Sequence, residues 1–138
     1  MTMPEALAYR PRSVPLPTRV LARLLIGVAL VLARQSPARI QALLRLLRRG
    51  ARTATYAEAK AARDTVVAVS LTCAARQGCL PRSLATALVC RVHGCWPAWC
   101  VGVRRMPPFV AHAWVEAGGA PVDEDYPAGY HRTLFIVR

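Results

Sequence analysis

The spacing of apolar residues changes near residue 94, dividing the chain into a helical first part and a stranded second part. Thr18 is the expected N-cap of a first helix running to about Gln35, in which Leu, Ile, Val and Ala dominate. Ser36-Pro37 then supplies a cap with proline at the first helical position, opening a second helix that ends at Gly50. In it Leu43, Leu44, Leu46 and Leu47 alternate with Gln41, Arg45, Arg48 and Arg49, giving one apolar and one basic face. These two helices predict a hairpin over residues 18–54, with an apolar excess around Leu24 to Leu32 that makes it a candidate partner-docking surface. A third helix is expected from Thr55 to Gln77, with Gly78 as a left-handed terminator. A fourth runs from Cys79 to Gly94, with Pro81 in its first turn and Leu80, Leu84, Leu88 and Val92 turned to the core.

Beyond Gly94, aromatic and β-branched residues predict strands over 96–105, 110–117, 120–124 and 134–138. Gly118-Gly119 is a hairpin turn signal that makes the second and third strands antiparallel neighbours. Pro4, Pro11, Pro15 and Pro17 predict an extended arm over residues 1–17. The expected fold is α+β, N-terminal helices followed by a small antiparallel sheet, with residues 55–138 as the core.

At 138 residues the chain fits one domain that needs no metal or disulfide staple. Its formal net charge of +12 is carried almost wholly by arginine. The arginines are spread through amphipathic patterns, with no basic block interleaved with aromatics, so a solvated basic face is expected and no nucleic-acid partner. Five cysteines, an odd number without a secretory cleavage site, read as free thiols of a cytoplasmic protein. Cys90, Cys95 and Cys100 lack the tight spacing of zinc ligands.

Among those thiols Cys79 differs, because it follows Gly78 where one helix ends and the next begins. A helix N-terminus favours thiolate over thiol. On the second strand Val110, His112, Trp114 and Glu116 share one face, and Ala111, Ala113, Val115 and Ala117 share the other, which can pack against the Cys79 helix. His112 then lines a cleft within reach of the thiol. The acidic run Asp123-Glu124-Asp125 follows. A two-residue turn at Gly118-Gly119 puts Asp123 on the face of His112, whereas a three-residue turn puts Glu124 there. Cysteine, histidine and carboxylate form a constellation used in covalent hydrolysis.

Three segments, Cys79-Leu80-Pro81-Arg82-Ser83-Leu84-Ala85, Ala111-His112-Ala113-Trp114-Val115-Glu116 and Pro121-Val122-Asp123-Glu124, together with Val101-Gly102-Val103-Arg104-Arg105, resemble the transglutaminase-like cysteine proteases of lasso-peptide biosynthesis, the leader peptidases. The resemblance covers roughly residues 55–138. It implies a papain-like triad that cuts the leader from a ribosomally made precursor, with Cys79 as nucleophile, His112 as base and the acidic position twelve residues further on at Glu124. Asp123 remains the alternative from hairpin parity. The backbone N–H of Cys79 is the expected oxyanion donor, with Gln77 a weaker side-chain candidate. Residues 1–54 are too short and too helical for a leader-binding module, so the resemblance implies the discrete form. Its partners are the precursor peptide, a separate leader-recognition protein and an asparagine-synthetase-like cyclase; no metal or organic cofactor is implied. An acyltransferase of the same fold, and a basic nucleic-acid- or membrane-surface-binding module, are the rival readings.

Overall fold

The computed structural model describes residues 9–127 and 129–138. Among the described residues, five α-helices and six strands are arranged as an α+β fold: α1 (Leu16–Leu32), α2 (Pro37–Leu47), β1 (Arg52–Thr53), α3 (Tyr56–Val69), the short α4 (Leu71–Ala74), α5 (Cys79–Val92), β2 (Cys95–Trp96), β3 (Ala98–Arg104), β4 (Ala111–Ala117), β5 (Ala120–Pro121) and β6 (His131–Val137), with 3-10 turns at Pro11–Ser13 and Arg76–Gly78. The main sheet is antiparallel in the order β5-β4-β3-β6, and β1 and β2 form a two-stranded parallel pair.

Helix α5 is the central element. Eight consecutive residues, Ser83 to Cys90, are buried in it. It is surrounded by α1, α3 and β4, and the alanine content of the chain explains how. Ala85 and Ala87 on α5, Ala22 and Ala29 on α1, Ala59 and Ala62 on α3, and Ala113 and Ala117 on β4 are all buried, letting backbones approach closely. Leu84 and Leu88 fill the remaining space, each contributing about 1.5–3 kcal/mol by leaving water. Trp99 of β3 donates from Nε1 to Ser83 Oγ at 3.0 Å, pinning the sheet to the same helix.

Several boundaries differ from the pattern-based expectations. The first helix begins at Leu16 after Pro15, so Thr18 lies inside its first turn and is not the cap. Residues 1–8 of the expected arm lie outside the described residues, and 11–13 form a 3-10 turn. The helix expected over 55–77 stops at Val69, because Ser70 turns extended (φ −138°, ψ 117°) and its side chain accepts from the Cys73 N–H to start α4. Thr55 and Glu58 form a capping box at the start of α3.

Gly78 is not left-handed: its φ is −91°. Glycine is needed there for space, since a Cβ would lie 1.9 Å from the Thr72 carbonyl oxygen. Val92, expected in the core, is exposed. Pro97 separates β2 from β3, and β5 ends at Pro121 rather than reaching residue 124. Helix α1 packs on α3 and α5, and α2 meets β6.

Candidate active site

Cys79 opens α5, and the burial of that helix fixes the position of its thiol. No side chain caps the helix, so the first-turn N–H groups are not consumed by a capping residue. Arg82, one turn on, donates to the Cys73 carbonyl at 2.9 Å and to the Ala75 carbonyl at 3.2 Å, clamping the segment that leads into Cys79.

Strand β4 reaches the same point from the sheet. Its pairing with β5 involves only Glu116 and Ala117, so the edge at His112 and Ala113 is open on the side away from β3. On that edge the Ala113 N–H donates to the Cys79 sulfur, and the His112 imidazole hydrogen-bonds the thiol. The Nε2 of His112 contacts Glu124 Oε1, which leaves Nδ1 for sulfur. The His112 and Glu124 side chains are only 12% and 9% exposed, so their interaction is shielded from water.

Burial pushes the Cys79 thiol up, but the hydrogen bonds to His112 and to the Ala113 N–H, with the positive charges of His112 and Arg82, outweigh it and hold the thiol below its ordinary value. Burial likewise pushes His112 down. Its hydrogen bonds to Cys79 and Glu124, reinforced by their negative charges, win and raise it to about 9. Thiolate and imidazolium therefore stabilise each other. The other four cysteines contrast with this one: burial pushes Cys90 and Cys100 up to about 12, and it raises Cys73 and Cys95 as well.

The two adjacent carboxylates have different partners. Glu124 faces His112 through one oxygen and lies 3.7 Å from Arg63 Nη2 through the other. Asp123 instead pairs with Lys60 at 2.8 Å, and its N–H donates to the Tyr56 hydroxyl at 3.3 Å. The hairpin has the two-residue form, with Ala117 opposite Ala120 and both glycines at positive φ. Parity alone would then have placed Asp123 beside His112. Asp123 itself has φ +49°, a left-handed turn that ends the strand alternation and swings Glu124 to the histidine.

Gln77 sits exposed on the turn before Cys79, with no hydrogen-bond partner for its side chain among the described residues.

Residues that the sequence did not single out complete the surroundings. The His131 ring stacks on His112 with centroids 4.8 Å apart and planes 22° apart; Tyr126 meets the same imidazole edge-on at 5.3 Å. Trp114, next along the same face of β4, stacks at 5.7 Å. Burial, and then the charge of His112, hold His131 below its ordinary value, so a neutral ring backs the imidazolium. Arg82 was discoverable from its i+3 spacing to Cys79, whereas His131 arrives only through the pairing of β6 with β3. A cleft of ≈ 840 Å³ opens beside His112 and Glu124, walled by Tyr56, Arg63, Arg82 and Tyr126. Among the described residues no cluster of three or more His, Cys, Asp or Glu is placed to hold a metal ion.

A helix-borne cysteine, held toward thiolate by a strand-borne histidine that a buried carboxylate backs, is the arrangement nucleophilic thiol chemistry uses. The transglutaminase-like superfamily matches residues 22–135, and the chain belongs to that superfamily, a setting for cysteine-protease and acyl-transfer chemistry. The match starts within α1, so the greater part of α1 and all of α2 lie inside it. Comparison with curated proteins and with solved structures gave no significant match.

Proposed function

We propose that this protein is a leader peptidase of lasso-peptide biosynthesis in its discrete form. The observation that carries the chemistry is the Cys79–His112–Glu124 chain of contacts at the uncapped start of α5. The substrate assignment rests on the resemblance of the segments around Cys79, His112 and Glu124 to that family.

In this reading the Cys79 thiolate attacks the carbonyl carbon of the last leader residue, forming a C–S bond while the oxyanion takes a hydrogen bond from the Cys79 backbone N–H. Protonated His112 gives its proton to the leaving nitrogen, and the C–N bond breaks. The core peptide departs with a free α-amine, the group an asparagine-synthetase-like cyclase then joins to a side-chain carboxyl. Neutral His112 next takes a proton from water, whose oxygen attacks the thioester and releases the leader carboxylate and the thiolate. Glu124 keeps the imidazole in the orientation both proton transfers need.

In this reading a separate leader-recognition protein delivers the precursor, as the resemblance to the discrete form implies. Bringing enzyme and substrate together on a partner raises the effective concentration to as much as about millimolar. The test is incubation of the purified chain with a candidate precursor, with and without that recognition protein, read by intact mass. Slow cleavage alone and a sharp rise on addition of the partner support the reading. A product in which an added amine replaces the leader carboxylate would assign an acyltransferase instead, and full turnover unaffected by the partner would remove the dependence.

A further inference from the structure

We propose that the outer face of α1 and the arginines around it dock this protein on an anionic phospholipid surface. The inner face of α1, with Ala22, Ile26, Ala29 and Leu32, is buried against α3 and α5. The opposite face is apolar as well. Leu16, Val20, Leu24, Val28 and Val31 follow one another at helical spacing and are all exposed, Leu16, Leu24 and Val31 by 63%, 64% and 62%. At 1.5 Å per residue this stripe is about 23 Å long. A helix with apolar residues on two opposite faces is normally covered on both, and here no described residue covers the outer one.

The charge around the stripe indicates what covers it. No Asp or Glu occurs between Glu5 and Glu58. Arg23 lies beside the stripe, Arg34 follows its end, Arg39 and Arg45 lie on α2, and Arg48 and Arg49 follow that helix; all six are exposed. Among the described residues none of the six is paired with a carboxylate. The face therefore presents aliphatic side chains and a single sign of charge. It has no aromatic residue from 10 to 55, although Trp and Tyr anchor most protein–protein hot spots. Aliphatic groups flanked by arginine, without directional hydrogen-bonding side chains, suit a surface that is anionic at the headgroups and apolar beneath them. No described helix is long and apolar enough to cross a membrane. With its inner face held by the core, α1 lies in the plane of the lipid surface.

The stripe contains none of Cys79, His112 or Glu124, so this inference stands apart from the peptidase reading. Its test is co-sedimentation of the full chain with vesicles of phosphatidylcholine alone or mixed with an equal part of phosphatidylglycerol. Binding is expected only to the mixed vesicles, weakening at high salt as a charge-driven contact does. The double variant Leu24→Asp with Val28→Asp is expected to lose binding by at least about tenfold, while its thermal midpoint and Cys79 alkylation rate stay those of the parent. Should that variant fold poorly, the triple variant Arg45→Gln, Arg48→Gln, Arg49→Gln keeps the apolar face and is expected to weaken binding and flatten its salt dependence. Absence of sedimentation with the mixed vesicles, equal binding to both vesicle types, or parental binding by the folded variants would overturn the proposal. Loss of stimulation by the recognition protein in the Asp variant, with a parent that ignores vesicles, would make the stripe a protein interface instead.

Discussion

Replacing Glu124 by Gln isolates what the carboxylate does for His112. The amide keeps the shape and an acceptor oxygen but removes the negative charge that faces a nearly enclosed imidazolium. A hydrogen bond to a charged group contributes roughly 1.5–3 kcal/mol, and at 1.36 kcal/mol per decade that is about 10- to 150-fold in rate. Leader cleavage by Glu124→Gln is therefore expected to fall by one to two decades. Its high-pH limb is expected to move down from about 9, because one of the groups raising the histidine is weakened. Asp123→Asn supplies the control. Its exposed pair with Lys60 contributes roughly 0.2–1 kcal/mol to stability, and its rate is expected to stay within about threefold of the parent. The assay is single-turnover cleavage followed by mass spectrometry across a pH series, with both variants at saturating recognition protein. Equal, near-parental rates for the two variants would remove the carboxylate from the mechanism, and a larger loss in Asp123→Asn would transfer the role to its neighbour.

Mild iodoacetamide treatment is expected to label Cys79 first, since the other four thiols are buried and raised; first labelling of Cys95 or Cys100 counts against the assignment. Because the folded His112 pKa lies above its unfolded value, its stabilising contribution is complete below about 6.5 and is lost as pH rises through about 9. Both thermal stability and leaving-group protonation are expected to decline in that window, and a profile flat to pH 10 would contradict the ion pair. Gly78→Ala drives a Cβ into the Thr72 carbonyl and is expected to destabilise by about 1–3 kcal/mol or more, measured by urea unfolding; unchanged stability and activity would show that the turn before Cys79 yields freely.

The sequence made the succession of helices and then strands, the start of α5 at Cys79 and the glycine hairpin legible, because each carries a local signal: a change of period, a proline in a first helical turn, paired glycines. What it hid depended on backbone choices between states of similar local energy. Ser70 can sit in a helix or cap one, and only packing selects the cap that splits the expected third helix. Asp123 can continue a strand or turn left-handed, and that choice sends Glu124 rather than Asp123 to His112. Gly78 was legible as necessary but for the wrong reason, because a close approach to Thr72 leaves no trace in local pattern. His131 and Tyr126 reach His112 through non-local pairing and a loop, which periodicity does not encode.

The most direct test of the account is cleavage carried out in heavy-oxygen water with precursor and recognition protein present. A Cys79 thioester opened by water predicts that the released leader carries one heavy oxygen in its new carboxylate, that the core peptide carries none, and that Cys79→Ala yields neither fragment. Undiminished cleavage by Cys79→Ala, or a leader fragment ending in an amide to an added amine, would contradict it.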